Sequence, residues 1–166
     1  MVIGNAGGGK STLCSVLCAR YSLPYHSIDK LQWQPGWQQT RSVDYNREHD
    51  NFIDQHRWLL DGYGSWESVL KRMDAADAII VVDHPVWIHY WWATKRQLKS
   101  LFTNQTDAPT GCSRWPVIFR LFKMMWWLHR VQRPILLREA ANRSHKKRYI
   151  HISSPSHLNR FTANPV

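Results

Sequence analysis

Short apolar runs alternate along the chain with longer stretches in which apolar residues return every third or fourth position. Five short runs read as strands, each too brief for a helix and bounded by turn residues. They are Met1-Val2-Ile3, Tyr25-His26-Ser27-Ile28 ending at Asp29, Trp58-Leu59-Leu60-Asp61-Gly62, Ala78-Ile79-Ile80-Val81-Val82 ending at Asp83, and Arg148-Tyr149-Ile150-His151-Ile152. The fourth is apolar without interruption, the mark of a parallel strand buried on both faces. Between the runs the period changes. Leu13, Val16 and Leu17 share a helical face, and Trp66, Val69, Leu70 and Met73 follow the i, i+3, i+4, i+7 pattern of an amphipathic helix. A polar helix is expected up to about residue 55, after a Pro35-Gly36 turn between Trp33 and Trp37. After Pro85 a helix is expected with Trp87, Trp91, Thr94, Leu98 and Leu101 on one face, running to a polar loop at 104–114. Residues 117–129 and 134–144 read as two more helices, the second with Pro134 in its first turn. Strands alternating with helices imply a parallel sheet covered on both faces by right-handed crossovers, hence a three-layer α/β domain spanning residues 1–166.

The link between the first strand and first helix carries chemistry. Gly4-Asn5-Ala6-Gly7-Gly8-Gly9-Lys10-Ser11-Thr12 matches the phosphate-binding loop G-x-x-x-x-G-K-[ST] at each fixed position. Such a loop wraps backbone N–H groups around an anion, and the helix that follows adds the positive end of its dipole. In this arrangement Lys10 reaches the β/γ-phosphates of ATP, and the Ser11 hydroxyl lies where Mg²⁺ is held. The expected fold is therefore the P-loop NTPase fold with a central parallel sheet.

Charge is distributed unevenly. The 166 residues carry a formal net charge of +10, but residues 1–83 hold 8 Lys/Arg and 10 Asp/Glu, while residues 84–166 hold 14 Lys/Arg and only Asp107 and Glu139. A half with a balance of +12 suits a polyanion, either nucleic acid or ATP phosphates together with a phosphorylated acceptor. Ten tryptophans raise the possibility of base stacking. Trp87, Trp91, Trp126 and Trp127 lie among other large apolar residues on helical stretches, where core or interface packing is the stronger expectation. Cys14, Cys18 and Cys112 form no C-x-x-C pair, and nine histidines show no H-x-x-x-H spacing, so neither a disulfide framework nor a zinc site is expected. Asp83 is expected to be structural. The longest apolar run is too short to span a bilayer, and a cytoplasmic protein with no membrane partner is expected.

Phosphoryl transfer requires held phosphates, held Mg²⁺, an acceptor in line and cations over the migrating charge. The loop and Lys10 supply the first, and Ser11 with Asp61 the second. Asp29 or Asp61 is placed to bind a metal-bound water or the acceptor hydroxyl, and Arg96, Arg130 and Arg133 supply cations from the basic half. The apolar strand ending in Asp61-Gly62 resembles the adenylate-kinase-like branch of P-loop kinases. With Asp29-Lys30-Leu31, Trp33, Pro35-Gly36-Trp37, Arg72-Met73, Ala75-Ala76-Asp77, Gly111-Cys112 and Arg133-Pro134 added, the chain is similar over nearly its whole length to the bacterial family labelled DNA topology modulation protein, FlaR-type. That resemblance implies an adenylate-kinase-like fold, ATP and Mg²⁺ binding and a kinase activity. It implies an acceptor-binding region at about 30–56 holding Asp29 and Trp33 to Trp37, and a helical and loop lid at about 95–134 with Arg130 and Arg133 as lid arginines. Adenylate kinases carry an arginine just after the Asp-Gly strand for the acceptor phosphate. Here Tyr63-Gly64-Ser65 follows, and Arg72 is the nearest substitute. The family label adds a second reading, a nucleic-acid-associated ATP-binding protein that makes weak, non-specific contacts to DNA.

Overall fold

The computed structural model describes residues 1–102 and 118–165. Its centre is a five-stranded, wholly parallel sheet made from β1 (Val2–Gly4), β2 (Tyr25–Ser27), β5 (Leu59–Asp61), β6 (Ala78–Val82) and β7 (Arg148–Ile152), in the order β2-β5-β1-β6-β7. β1 is central, with Gly4 beside Val82, and Val2 pairs with both Asp61 and Ile80. That register sets the phosphate loop between the carboxylates that end β5 and follow β6. Ligands of open α/β sheets bind at this carboxyl edge.

Helices cover both faces, as the strand pattern demands. On one face Ile3, Ile79 and Val81 pack with Val69 and Met73 of α4 (Trp66–Ala75) and with Leu136 and Ala140 of α7 (Arg133–Asn142). On the other, Val2, Ile80, Val82 and Ile152 pack with Leu13 and Leu17 of α1 (Lys10–Tyr21) and Leu158 of α8 (Pro155–Ala163). Ile3 and Leu13 have no exposed surface. Burying each contributes roughly 1.5–3 kcal/mol, and Leu13→Ala would cost about 2–5 kcal/mol by leaving a cavity between α1 and the sheet.

Several elements differ from the sequence expectation. The second strand stops at Ser27 and Ile28 opens α2 (Ile28–Gln32), so Asp29 lies in the first turn of a helix and not at a strand end. Residues 33–39 form a small hairpin, β3 (Trp33–Gln34) and β4 (Gln38–Gln39), across a 3₁₀ turn at Pro35–Trp37. α3 (Ser42–Ile53) is the expected polar helix. The two helices expected at 117–129 and 134–144 are one continuous helical rod, α6 (Ile118–Trp127) joined to α7 through a π turn at Leu128–Gln132. α8 was not expected. It is capped by Ser154, whose side chain accepts from His157 N–H, with Pro155 in its first turn. α5 (Val86–Phe102) has the expected start, but Trp87 and Trp91 are exposed on it, as are Trp126 and Trp127 on α6. The loop at 104–114, with Cys112 and the Gly111-Cys112 element, lies outside the described residues.

Candidate nucleotide and acceptor site

The loop from Gly4 to Gly9 is shaped by what lies behind it. Gly4 has φ 149°, and a Cβ there would stand 2.1 Å from the Val82 carbonyl oxygen, so only glycine lets β1 turn into the loop against β6. Gly7 has φ 66°, and a Cβ would meet the backbone of α5 at the His89 carbonyl, 2.6 Å away. α5 thus backs the loop, and the His89 ring lies close under Gly8. His89 Nδ1 lies 3.0 Å from the Ala6 carbonyl, which can only accept, so this nitrogen carries the proton. Burial, reinforced by the Lys10 charge, lowers the His89 pKa to about 4 and keeps the ring neutral. Asn5 ties the loop to a second helix, donating through Nδ2 to the Met125 carbonyl at 2.8 Å while its Oδ1 accepts from Ala6 N–H at 2.9 Å. Gly9, in the left-handed region, caps α1, whose first turn carries no acidic residue to oppose an anion. Lys10 Nζ donates to the Asn5 carbonyl at 2.9 Å, which holds the ammonium across the mouth of the loop. Thr12 is exposed on the first turn of α1. Glycines in a left-handed backbone, an acid-free helix start and an ammonium at the mouth fit a nucleotide triphosphate.

Asp61 is 4% exposed at the end of β5 and accepts from two hydroxyls, Tyr25 at 3.0 Å and Ser11 at 3.5 Å. Burial and then the Asp61 charge push the Tyr25 phenol above its ordinary pKa, so the tyrosine stays a donor. A buried carboxylate next to a P-loop serine is an all-oxygen donor set that suits Mg²⁺. Asp29 stands beside it, for a Cβ on Gly62 would lie 3.1 Å from Asp29 Oδ1. Solvent reaches Asp29, but the surrounding cleft desolvates it. That desolvation raises its pKa, with Lys10 pulling it down, Asp61 adding to the rise, and Arg96 and Arg72 pulling it down. The charges of Lys10, Asp61, Arg96 and Arg72 thus all act on Asp29.

Other predicted residues lie elsewhere. Arg72 is fully buried, and its guanidinium donates to the carbonyls of Ser68, Gly62 and Tyr63. It clamps the turn after β5 and has no exposed surface. Burial lowers its pKa to about 10. Arg133 makes a bidentate pair with Asp83 at 2.5 and 2.8 Å, and His151 Nε2 lies 2.8 Å from the same carboxylate. Arg130 is exposed and lies over the Trp126 ring, 5.4 Å from its centroid. Trp33 and Trp37 meet edge to face at 6.0 Å across the hairpin, Trp37 with φ 61°. Tyr25 and His89 escaped sequence reasoning. Neither belongs to a motif, and each reaches the site only through strand order or helix packing.

No protein-family model matches this chain, and no curated protein matches it. Among solved structures, that of a gluconokinase from Sinorhizobium meliloti 1021 aligns with a TM-score of 0.53 at 13% sequence identity, over 99% of this chain and 93% of that one. At that identity the likeness speaks to architecture alone, a parallel five-stranded sheet flanked by helices with the loop Gly4 to Gly9 at its carboxyl edge.

Proposed function

We propose that the protein is an ATP-dependent, Mg²⁺-dependent kinase that phosphorylates a hydroxyl of a small acceptor, and that it is a cytoplasmic member of the FlaR-type branch its motifs resemble. The observation that carries this reading is the placement of Asp61 between Ser11 and Tyr25, beside Asp29 and next to the loop that holds Lys10. Bound ATP·Mg²⁺ supplies the transferable phosphoryl group and the divalent charge that screens it. Loop N–H groups and Lys10 hold the β/γ-phosphates. Ser11 and Asp61 hold the cation site, and Tyr25 keeps the Asp61 carboxylate in one orientation. Asp29 accepts the proton of the acceptor hydroxyl as its oxygen forms the new bond to phosphorus and the bond to the β-phosphate oxygen breaks. Its raised affinity for a proton suits that task. Arg96, whose charge acts on Asp29, would serve as a cation over the migrating charge.

The acceptor is bound by the hairpin and α3. Trp37 is a bulky residue in the left-handed region, a conformation that costs about 1–3 kcal/mol, and its indole meets Trp33 edge to face. Two aromatic faces and a carboxylate suit a hydroxylated small molecule. With Arg72 withdrawn into the interior, the arginine nearest the Asp61-Gly62 turn is bound to backbone carbonyls and not to an acceptor phosphate, which disfavours nucleoside monophosphates. An ADP-release assay with gluconate, other sugar acids, sugars, nucleosides and nucleoside monophosphates tests this. Acceptor-stimulated turnover by a non-phosphorylated polyol or nucleoside is expected. Stimulation only by a nucleoside monophosphate, or by none of them, sinks the reading.

The nucleic-acid alternative draws on the basic half. There Arg143 pairs with Asp74 and Glu139, and Lys147 donates to the carbonyls of Asp74 and Ala76. Arg138, Lys146 and Arg148 are exposed on that side. We expect sequence-indifferent DNA binding that is lost by physiological salt, read as anisotropy across a salt titration.

A further inference from the structure

The helix that backs the phosphate loop exposes large aromatic side chains on its outer face. Trp87 is 65% exposed and Trp91 63% on α5, while Phe119 is 83% and Trp126 50% exposed on α6. The two helices are joined by Tyr90, whose hydroxyl donates to the Phe122 carbonyl at 3.1 Å and whose ring meets Phe122 edge to face at 5.2 Å. Trp87 and Trp91 lie one turn apart beside Tyr90, and Phe119, Phe122 and Trp126 follow the i, i+3, i+7 spacing of one helix face. One aromatic band therefore crosses both helices. Exposed cations border it: Lys95 on α5, Lys123 on α6, and Arg130 over the Trp126 ring. No carboxylate occurs in residues 86–102 or 118–132, and between Asp83 and Glu139 the sequence holds only Asp107.

We propose that this face docks onto an anionic lipid surface. Exposed tryptophans interleaved with Lys and Arg, and without acids, are the composition of helices that lie in the headgroup region, where indoles enter the acyl boundary and cations meet lipid phosphates. None of the described helices is long and apolar enough to cross a membrane, so the helices rest on the surface. Charge argues against a second copy of the chain as the occupant, because two acid-free cationic faces would repel. Single-stranded nucleic acid would stack on the indoles, but Leu98, 52% exposed and one helical repeat on from Trp91 on the same face, offers no face to a base and gains from contact with hydrocarbon. The inner side of α5 touches the phosphate loop through His89 and Ala93, so docking leaves the nucleotide cleft open.

The test is co-sedimentation of the full chain with vesicles of phosphatidylcholine alone and of phosphatidylcholine with phosphatidylglycerol, read together with tryptophan emission. Binding only to the anionic vesicles, a blue shift and release by raised salt are expected. Trp87→Ser with Trp91→Ser lowers partitioning by about tenfold or more. Lys95→Gln with Lys123→Gln lowers it roughly 25-fold, near fivefold per cation. Circular dichroism confirms that both variants are folded, which their surface positions allow. Lys10→Ala binds vesicles as the parent does, so this result stands apart from any failure of the kinase reading. The proposal is overturned by absence of binding to anionic vesicles, or by binding indifferent to Trp87 and Trp91. It is equally overturned if a single-stranded oligonucleotide or a dimer, and not the vesicle, depends on those residues.

Discussion

Asp61 and Asp83 stand at the carboxyl edge of the strands that flank β1, each following an apolar run and each nearly buried, at 4% and 9% exposure. Their neighbours could hardly differ more. Asp61 accepts from two neutral hydroxyls, Tyr25 and the P-loop Ser11, and among the described residues no Lys or Arg pairs with it. Asp83 is gripped by both arms of Arg133 and by His151. Desolvation pushes the Asp83 carboxyl up, but those hydrogen bonds outweigh it and hold its pKa below the ordinary carboxylate value. The role of a strand-end carboxylate is thus decided by its partners and not by its place on the strand. Asp61 is a charge kept available and Asp83 a charge already used, joining α7 to the sheet.

Four measurements press on that contrast. The largest effect is expected at Lys10, the cation facing the Asp61 side. Lys10→Ala should lower turnover by about 10³-fold and remove thermal stabilisation by ATP while the fold survives, because Lys10 bonds only to a loop carbonyl. Unchanged ATP affinity would remove the nucleotide site from this edge of the sheet. Next, Asp61→Asn should cost roughly 10²-fold in kcat with ATP affinity changed only a few-fold, since asparagine can still accept from Tyr25. Equal loss of binding and turnover would make the two carboxylates alike.

Asp83→Asn and Arg133→Ala should leave turnover within a few-fold and lower stability by about 1–2 kcal/mol. This is less than a fully buried pair is worth, because Arg133 and His151 are both more than a third exposed. The pH dependence has a definite sign. A carboxyl with a depressed folded pKa adds stability above its ordinary value of 3.8, and that stability is lost as pH falls through the folded value. Urea unfolding between neutral pH and pH about 3 should show the parent losing this increment on acidification and Asp83→Asn losing less. A drop in kcat at either Asp83 or Arg133, without loss of stability, would return Arg133 to the lid. The smallest effect is expected at Tyr25→Phe, which should reduce kcat by less than about tenfold by loosening Asp61. An effect as large as that of Asp61→Asn would show that the phenol touches substrate.

Much of this arrangement was legible in the chain because it is local. A phosphate loop is a run of consecutive residues whose glycines answer to backbone angles, and the Ala78 to Val82 strand is announced by its own apolar run. Asp29 was misplaced by one turn, since the apolar pattern of β2 continues through Ile28 into a helix of only five residues. Arg72 read as an acceptor arginine because sequence shows a charge and not the three carbonyls that surround it.

The orientation of α5 was beyond the pattern altogether. Its apolar stripe of Trp87 and Trp91 points outward, and the inward stripe holds His89 and Ala93. The backbone of α5 comes close to Gly7, and the α5 indole that does pack inward is Trp92, whose ring lies against Gly9 and the core of α1 and α8. The residues of one short stretch determined the phosphate loop and the helix it opens, through φ/ψ preferences and hydrogen-bonding groups carried within that stretch. Whether Asp61 is free to act, whether Arg72 and Arg133 face a ligand or the interior, and which side of α5 meets solvent were decided only by contacts between residues far apart in the chain, because burial and charge pairing are properties of the packed sheet and its helices.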